Sequence, residues 1–220
     1  MNPELDSLQL LAQKMAIKLD GPQLARFELY QNELKKWNDK INLIAKNSAR
    51  EIVTRHFLDS LTAARFIDRE NIRIMDIGCG AGFPGLPLKI IFPDFDLYLL
   101  EANRKKISFL KHIIRLLDLQ KATVLHERAE SLLKNSTWKN FFQVVISRAA
   151  FKLPDMLPLA AFFLQPQGKL IALKSRNVER EFLSASSVAA LYGFDPLIQY
   201  DIDEKILGTP RKIIIGEKTK

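Results

Sequence analysis

The chain has 220 residues, 47% of them hydrophobic, one cysteine and a formal net charge of +8. That is enough apolar material for one large domain, or for one domain with an appendage. It excludes an internal disulfide, disfavours a zinc site, and leaves no apolar run long enough to cross a membrane. Residues 1–6 are acidic and lack a signal-peptide core, so the expected location is cytoplasmic. The charge is uneven: residues 102–152 hold 11 Lys and Arg against 3 Asp and Glu. A basic field on one segment favours nucleic acid or another polyanion; a solvated basic surface is the plain alternative.

Leu5, Leu8, Leu11, Met15 and Leu19 recur at helical spacing, and Gly21-Pro22 closes that helix. Leu24, Phe27, Leu34, Trp37 and Ile41 mark a second helix, with Trp37 as a core anchor. A third helical segment spans about 50–66 and contains Arg55-His56-Phe57-Leu58-Asp59-Ser60. Residues 1–70 thus read as a helical appendage and 71–220 as the main domain. Strands are expected at 72–77, 96–100, 122–125, 142–146, 169–173, 197–200 and 211–215. Helices are expected at 86–92, 103–117, 153–163 and 177–191. In 103–117, Ile107, Leu110, Ile114 and Leu117 face inward, while Arg104, Lys105, Lys111 and Arg115 face solvent. This alternation predicts an α/β fold: a seven-stranded, mainly parallel sheet with helices on both faces.

Ligands in such sheets bind beyond the carboxyl ends of the strands. Asp76, Gly78, Glu101, Ala129, Glu130, Arg148 and Lys174 all fall there. The richest stretch is Asp76-Ile-Gly78-Cys-Gly80-Ala-Gly82-Phe83-Pro-Gly85, a strand end, a glycine turn and a helix start. Gly80-x-Gly82-x-x-Gly85 with Glu101 matches a dinucleotide fingerprint. Counted from Gly78, however, the pattern fails at Phe83, and Asp76 stands where a dinucleotide strand is normally apolar. Asp-x-Gly-x-Gly-x-Gly instead resembles the first motif of S-adenosylmethionine (SAM)-dependent methyltransferases. SAM has no phosphate to seat on a helix, and its cationic ammonium and sulfonium suit a strand-end carboxylate. The alternative is a glycine turn that binds nothing, with Asp76 as a helix or turn cap.

The chain resembles the bacterial small-subunit ribosomal RNA guanine-N7 methyltransferases, also called the glucose-inhibited division protein B family. The resemblance rests on Lys36-Trp37-Asn38, Asn42-Leu43 and Arg55 to Ser60. It continues through Asp76 to Gly85 with Pro87-Leu88, Glu101 with Lys106, Phe109-Leu110, Ser147-Arg148-Ala149 and Leu173-Lys174. Ser175 departs from the family's usual glycine. The resemblance implies a Rossmann-like SAM-dependent methyltransferase fold. It implies SAM held at Gly78, Gly80 and Phe83 of the turn, by Glu101 on the ribose, and by Ala129 and Glu130 at the adenine, with Arg148 near the site. It also implies 16S ribosomal RNA, or a small-subunit precursor, as partner of a monomeric enzyme. The implied target is N7 of a guanine, position 527 in standard rRNA numbering.

The residues alone narrow the chemistry less. Cys79 sits in the turn and is no candidate nucleophile for a pyrimidine carbon. Ser147-Arg148-Ala149 replaces the Asn/Asp-Pro-Pro-aromatic run of exocyclic-amine methylases. A ring nitrogen or a hydroxyl remains. Arg148 and Lys174 are candidate positioning groups; Arg148 and Glu130 could equally be structural. His56 and Asp59 lie three apart on one helical face and could pair with each other, with an RNA or inter-domain contact as the alternative. His112 and His126 read as surface residues. A nicotinamide oxidoreductase and a basic RNA-binding module remain alternative classes.

Overall fold

A computed structural model describes residues 3–45, 51–67 and 72–219. The expected start of the third helical segment at Arg50, and the expected boundary at 70, lie outside these residues.

Seven strands form one sheet: β1 (Arg73–Ile77), β2 (Asp96–Glu101), β3 (Ala122–His126), β4 (Phe142–Arg148), β5 (Leu164–Ser175), β6 (Ile198–Ile202) and β7 (Arg211–Glu217). Their order is β3-β2-β1-β4-β5-β7-β6. The first five pair in parallel; β7 runs antiparallel to β5 and β6. Successive side chains leave opposite faces of a strand. Ile74 therefore joins one apolar cluster, while Met75 and Ile77 join the other. With both faces covered, the central strands are apolar throughout, which made them readable as short apolar runs.

One face carries α1 (Pro3–Lys14), α2 (Gly21–Ile41), α3 (Asp59–Leu61), α4 (Gly85–Ile91), α5 (Arg104–Leu116) and, at Leu207, α9 (Glu204–Leu207). The other carries α6 (Ala129–Leu132), α7 (Leu153–Phe163) and α8 (Glu179–Ser186). The N-terminal helices share the first cluster with β1 and β2: Leu8, Phe27 and Tyr30 are fully buried there. They cover the sheet. Two details fix α2. Asp20 and Gln23 form a capping box, with Asp20 Oδ1 accepting the Gln23 N–H at 2.8 Å. At the other end Asn42 adopts a left-handed φ of 47° and closes the helix.

Four of the expected segments take a different form. The first helix ends at Lys14, because Ala16 is left-handed (φ 60°); Leu19 is buried from the linker instead. Residues 177–191 break into α8 and a 3₁₀ turn, Ala189–Tyr192, where Ser184, Ser186 and Ser187 weaken a continuous helix. β5 starts at Leu164 despite Pro166 and Gly168, pairing first with Phe142 across a register shift. Val53–Leu58 is a π-helix that runs on into α3. Such wide turns frequently occur at functional sites.

The strand order reverses between β1 and β4. The carboxyl end of β1 therefore lies between those of β2 and β4, at the topological switch point where ligands bind in open α/β sheets.

Candidate active site

At that point the glycine turn leaves β1. Gly78, Gly80 and Gly82 have φ of 68°, 59° and 98°, a region that costs other residues strain. The Gly78 and Cys79 N–H groups donate to the Leu100 carbonyl, which hooks the turn onto β2. A Cβ at Gly78 would lie 2.6 Å from the Ala150 Cβ, so only bare backbone fits there.

Glu101 ends β2. Its Oε2 accepts the Gly80 N–H at 2.9 Å and its Oε1 accepts the Asn103 N–H at 2.8 Å. Asn103 in turn caps α5. An ionised carboxylate has about four acceptor positions, so each Glu101 oxygen keeps room for a ligand hydroxyl. Glu101 lines a cavity of about 470 Å³ with Gly78, Lys106, Ala129, Glu130, Arg148 and Phe151. A cavity of this size is in the ordinary range for small-molecule sites.

Asp76 lies behind the turn and does not line the cavity. It is fully buried, and its Oδ2 accepts the Gly85 N–H at 2.7 Å, at the start of α4. Its other oxygen has no partner among the described residues. Burial pushes the carboxyl up from 3.8 to about 7. Its stabilising contribution is thus greatest below 3.8 and is lost as pH rises through about 7.

Arg148 ends β4. Nη1 donates to the Arg55 carbonyl at 3.0 Å and to Asp59 Oδ2 at 3.2 Å. Nη2 donates to His56 Nδ1 at 2.9 Å, and the guanidinium lies 4.8 Å from the Phe83 ring centroid. Burial, with Arg148, Arg211 and Arg55 nearby, pushes His56 down to about 3. The ring is therefore neutral, and its acceptor role at Nδ1 assigns the remaining hydrogen to Nε2.

Residues 23–205 match the GidB family model, rRNA small subunit methyltransferase G. The chain belongs to this family. Ribosomal RNA small subunit methyltransferase G of Syntrophus aciditrophicus is 44% identical over 186 residues, 84% of this chain and 77% of that one. The protein of the same name from Desulfitobacterium hafniense is 35% identical over 224 residues, 100% of this chain and 92% of its own. Among solved structures, M. jannaschii TYW2 in complex with AdoMet has a TM-score of 0.58 at 18% identity, covering 81% of this chain and 78% of that one. The precorrin-6y C5,15-methyltransferase of Geobacter metallireducens has a TM-score of 0.56 at 16% identity, covering 81% and 92%. These two likenesses show the fold, the Rossmann-like fold of SAM-dependent methyltransferases. By its family, the chain is a small-subunit rRNA methyltransferase.

Within this GidB-family fold the expected site residues separate into two groups. Gly78, Glu101, Ala129, Glu130 and Arg148 line one cavity. Asp76, Gly80, Phe83 and Lys174 do not. Asp76 takes the helix-cap alternative. Phe83 is buried, stacked on His56 (centroids 4.8 Å apart) and on Tyr30 (5.5 Å). Lys174 is a correction: its ammonium is buried against the Phe151 carbonyl and Glu181. It fastens the chain after β4 and is not offered to a phosphate. His56 and Asp59, read as a possible pair, converge on Arg148 from the helical side, so the contact with the main domain is the alternative realised. His112 is also a correction. It is half-buried at the joint of α2 and α5, with Nε2 2.7 Å from Glu33 and its ring 5.2 Å from Trp37. His126 is exposed as expected.

Glu127, Arg128 and Phe151 also line the cavity and were not named as site residues; Lys106, which lines it too, entered only through the family resemblance. Lys106 had a signal: it lies in the first turn of α5, three residues after the Asn103 cap whose N–H Glu101 accepts. Phe151 had none, since its position depends on the Lys174 tether.

Proposed function

We propose that this enzyme transfers a methyl group from SAM to N7 of a guanine in 16S ribosomal RNA. The observation that carries the reading is Glu101, an acceptor-only carboxylate at the end of β2 with spare lone pairs facing the cavity. SAM supplies an activated methyl group on a sulfonium. In this reading Glu101 holds the ribose hydroxyls, the bare Gly78 backbone admits the methionine end, and Ala129 and Glu130 border the adenine. The half-buried Gly78 backbone on the cavity wall and the acidic strand end fit such a cofactor. The same reading places the enzyme in the cytoplasm as a monomer; no described helix is long and apolar enough to cross a membrane.

Guanine N7 has an in-plane lone pair and no proton at neutral pH, so no base has to remove one. None of the three histidines lines the cavity. His56 has its Nδ1 committed to Arg148. Catalysis then comes from alignment of N7 with the methyl group in a shielded cleft. The single-turnover rate is therefore expected to change less than about twofold between about pH 7.5 and 9, above the Asp76 transition. A rate rising log-linearly with pH would mean that a proton is lost and that N7 is the wrong atom.

RNA binding is assigned to the face of α5 that carries Arg104, Lys105, Lys111 and Arg115, all exposed. Phosphate contacts release counterions, so affinity should fall steeply with salt. Changing Lys105, Lys111 and Arg115 together to Glu is expected to weaken RNA binding by at least about a hundredfold at low salt and to leave SAM binding unchanged. A filter-binding series that shows no salt dependence would leave this face merely solvated.

A further inference from the structure

Arg148 lines the cleft, yet most of its guanidinium is held from the helical side. Arg55 O, Asp59 Oδ2 and His56 Nδ1 take three of its five N–H groups, and the Phe83 ring takes one face. The Nε hydrogen and one Nη2 hydrogen have no protein acceptor among the described residues. The other oxygen of Asp59 meets Arg211 Nε, at the start of β7, at 3.1 Å. One buried carboxylate thus sits between two guanidinium groups, with its side chain 3% exposed. Loss of its charge would leave two nearby cations with no anion between them.

Glu101 and Arg148 end β2 and β4, on opposite sides of Gly78. With the ribose at Glu101, the opposite, methionine end of SAM falls towards Arg148. That end carries the one anionic group of the cofactor, a carboxylate, and two unspent guanidinium donors suit it. We propose that Asp59 and His56 are positioning residues for the cofactor: they set Arg148 so that its remaining N–H groups address the SAM carboxylate. They touch neither cofactor nor substrate. This inference rests on SAM as the cofactor.

The test compares two ligands by calorimetry: SAM, and 5′-methylthioadenosine, which lacks the amino-acid end. Asp59→Asn is expected to weaken SAM at least about tenfold and methylthioadenosine less than about twofold. Combined with Arg148→Met, it should add nothing further to the SAM defect. His56→Phe, which keeps a ring on Phe83 but removes the Nδ1 acceptor, should show the same selectivity and serves if Asp59→Asn does not fold. Equal losses for both ligands would reduce the network to general scaffolding and overturn the proposal. So would unchanged SAM affinity, or a defect confined to RNA binding. Failure of the unaltered enzyme to bind SAM would instead sink the functional reading beneath it.

Discussion

Replacing Glu101 by alanine is expected to weaken SAM binding by at least about tenfold. Two hydroxyl hydrogen bonds to a charged acceptor are worth about 1.5–3 kcal/mol each. A second contribution acts through the protein. The Gly80 and Asn103 N–H groups lose their acceptor, so the glycine turn and the start of α5 loosen together. Glu101→Gln separates the two. Its carbonyl oxygen accepts one of those N–H groups while the charge is gone, so SAM affinity should fall between the wild-type and alanine values. Calorimetric titration reads both. Unchanged affinity in Glu101→Ala would remove Glu101 from the cofactor site.

Gly82→Ala is expected to be the most destabilising single change in the turn. At φ 98°, a Cβ would lie 2.3 Å from Leu86 Cδ1 and 2.9 Å from Tyr30 Oη. Tyr30 cannot yield easily, because its hydroxyl donates to the Ala81 carbonyl at 2.5 Å inside the core. Left-handed strain of about 1–2 kcal/mol and overpacking of about 1–3 kcal/mol add to roughly 2–5 kcal/mol. In a chain of 220 residues each kcal/mol lowers Tm by about 2–4 °C. Gly80→Ala is the control: its φ is 59°, but a new Cβ would meet nothing closer than Lys106 Nζ at 3.9 Å. It should cost only the strain. Equal melting temperatures for the two variants would mean that the crowding at Gly82 is relieved by repacking.

These two glycines also mark how far the sequence could be read. The turn was legible because its glycines follow an apolar run and precede a helix, and the strand ends carried Glu101 and Arg148 with them. Local periodicity says where side chains begin, not what they meet. Asp76 has the same spacing to Gly78 whether it faces a ligand or caps α4; burial by the packed face decides for the cap. Lys174 sits at a strand end like the other site residues, but Glu181 on α8 draws its ammonium away from the cleft. Arg148 meets partners 89 to 93 positions earlier in the chain. No short-range pattern contains that contact. The N-terminal helices read as an addition because they precede the first strand, whereas their apolar stripes are what covers one face of the sheet.

The central claim is tested most directly by incubating the purified enzyme with methyl-labelled SAM and small ribosomal subunits or their deproteinised 16S RNA, then digesting the RNA to nucleosides. The label is expected to co-elute with 7-methylguanosine. Label in any other nucleoside, or none in small-subunit RNA while SAM still binds, would contradict the account.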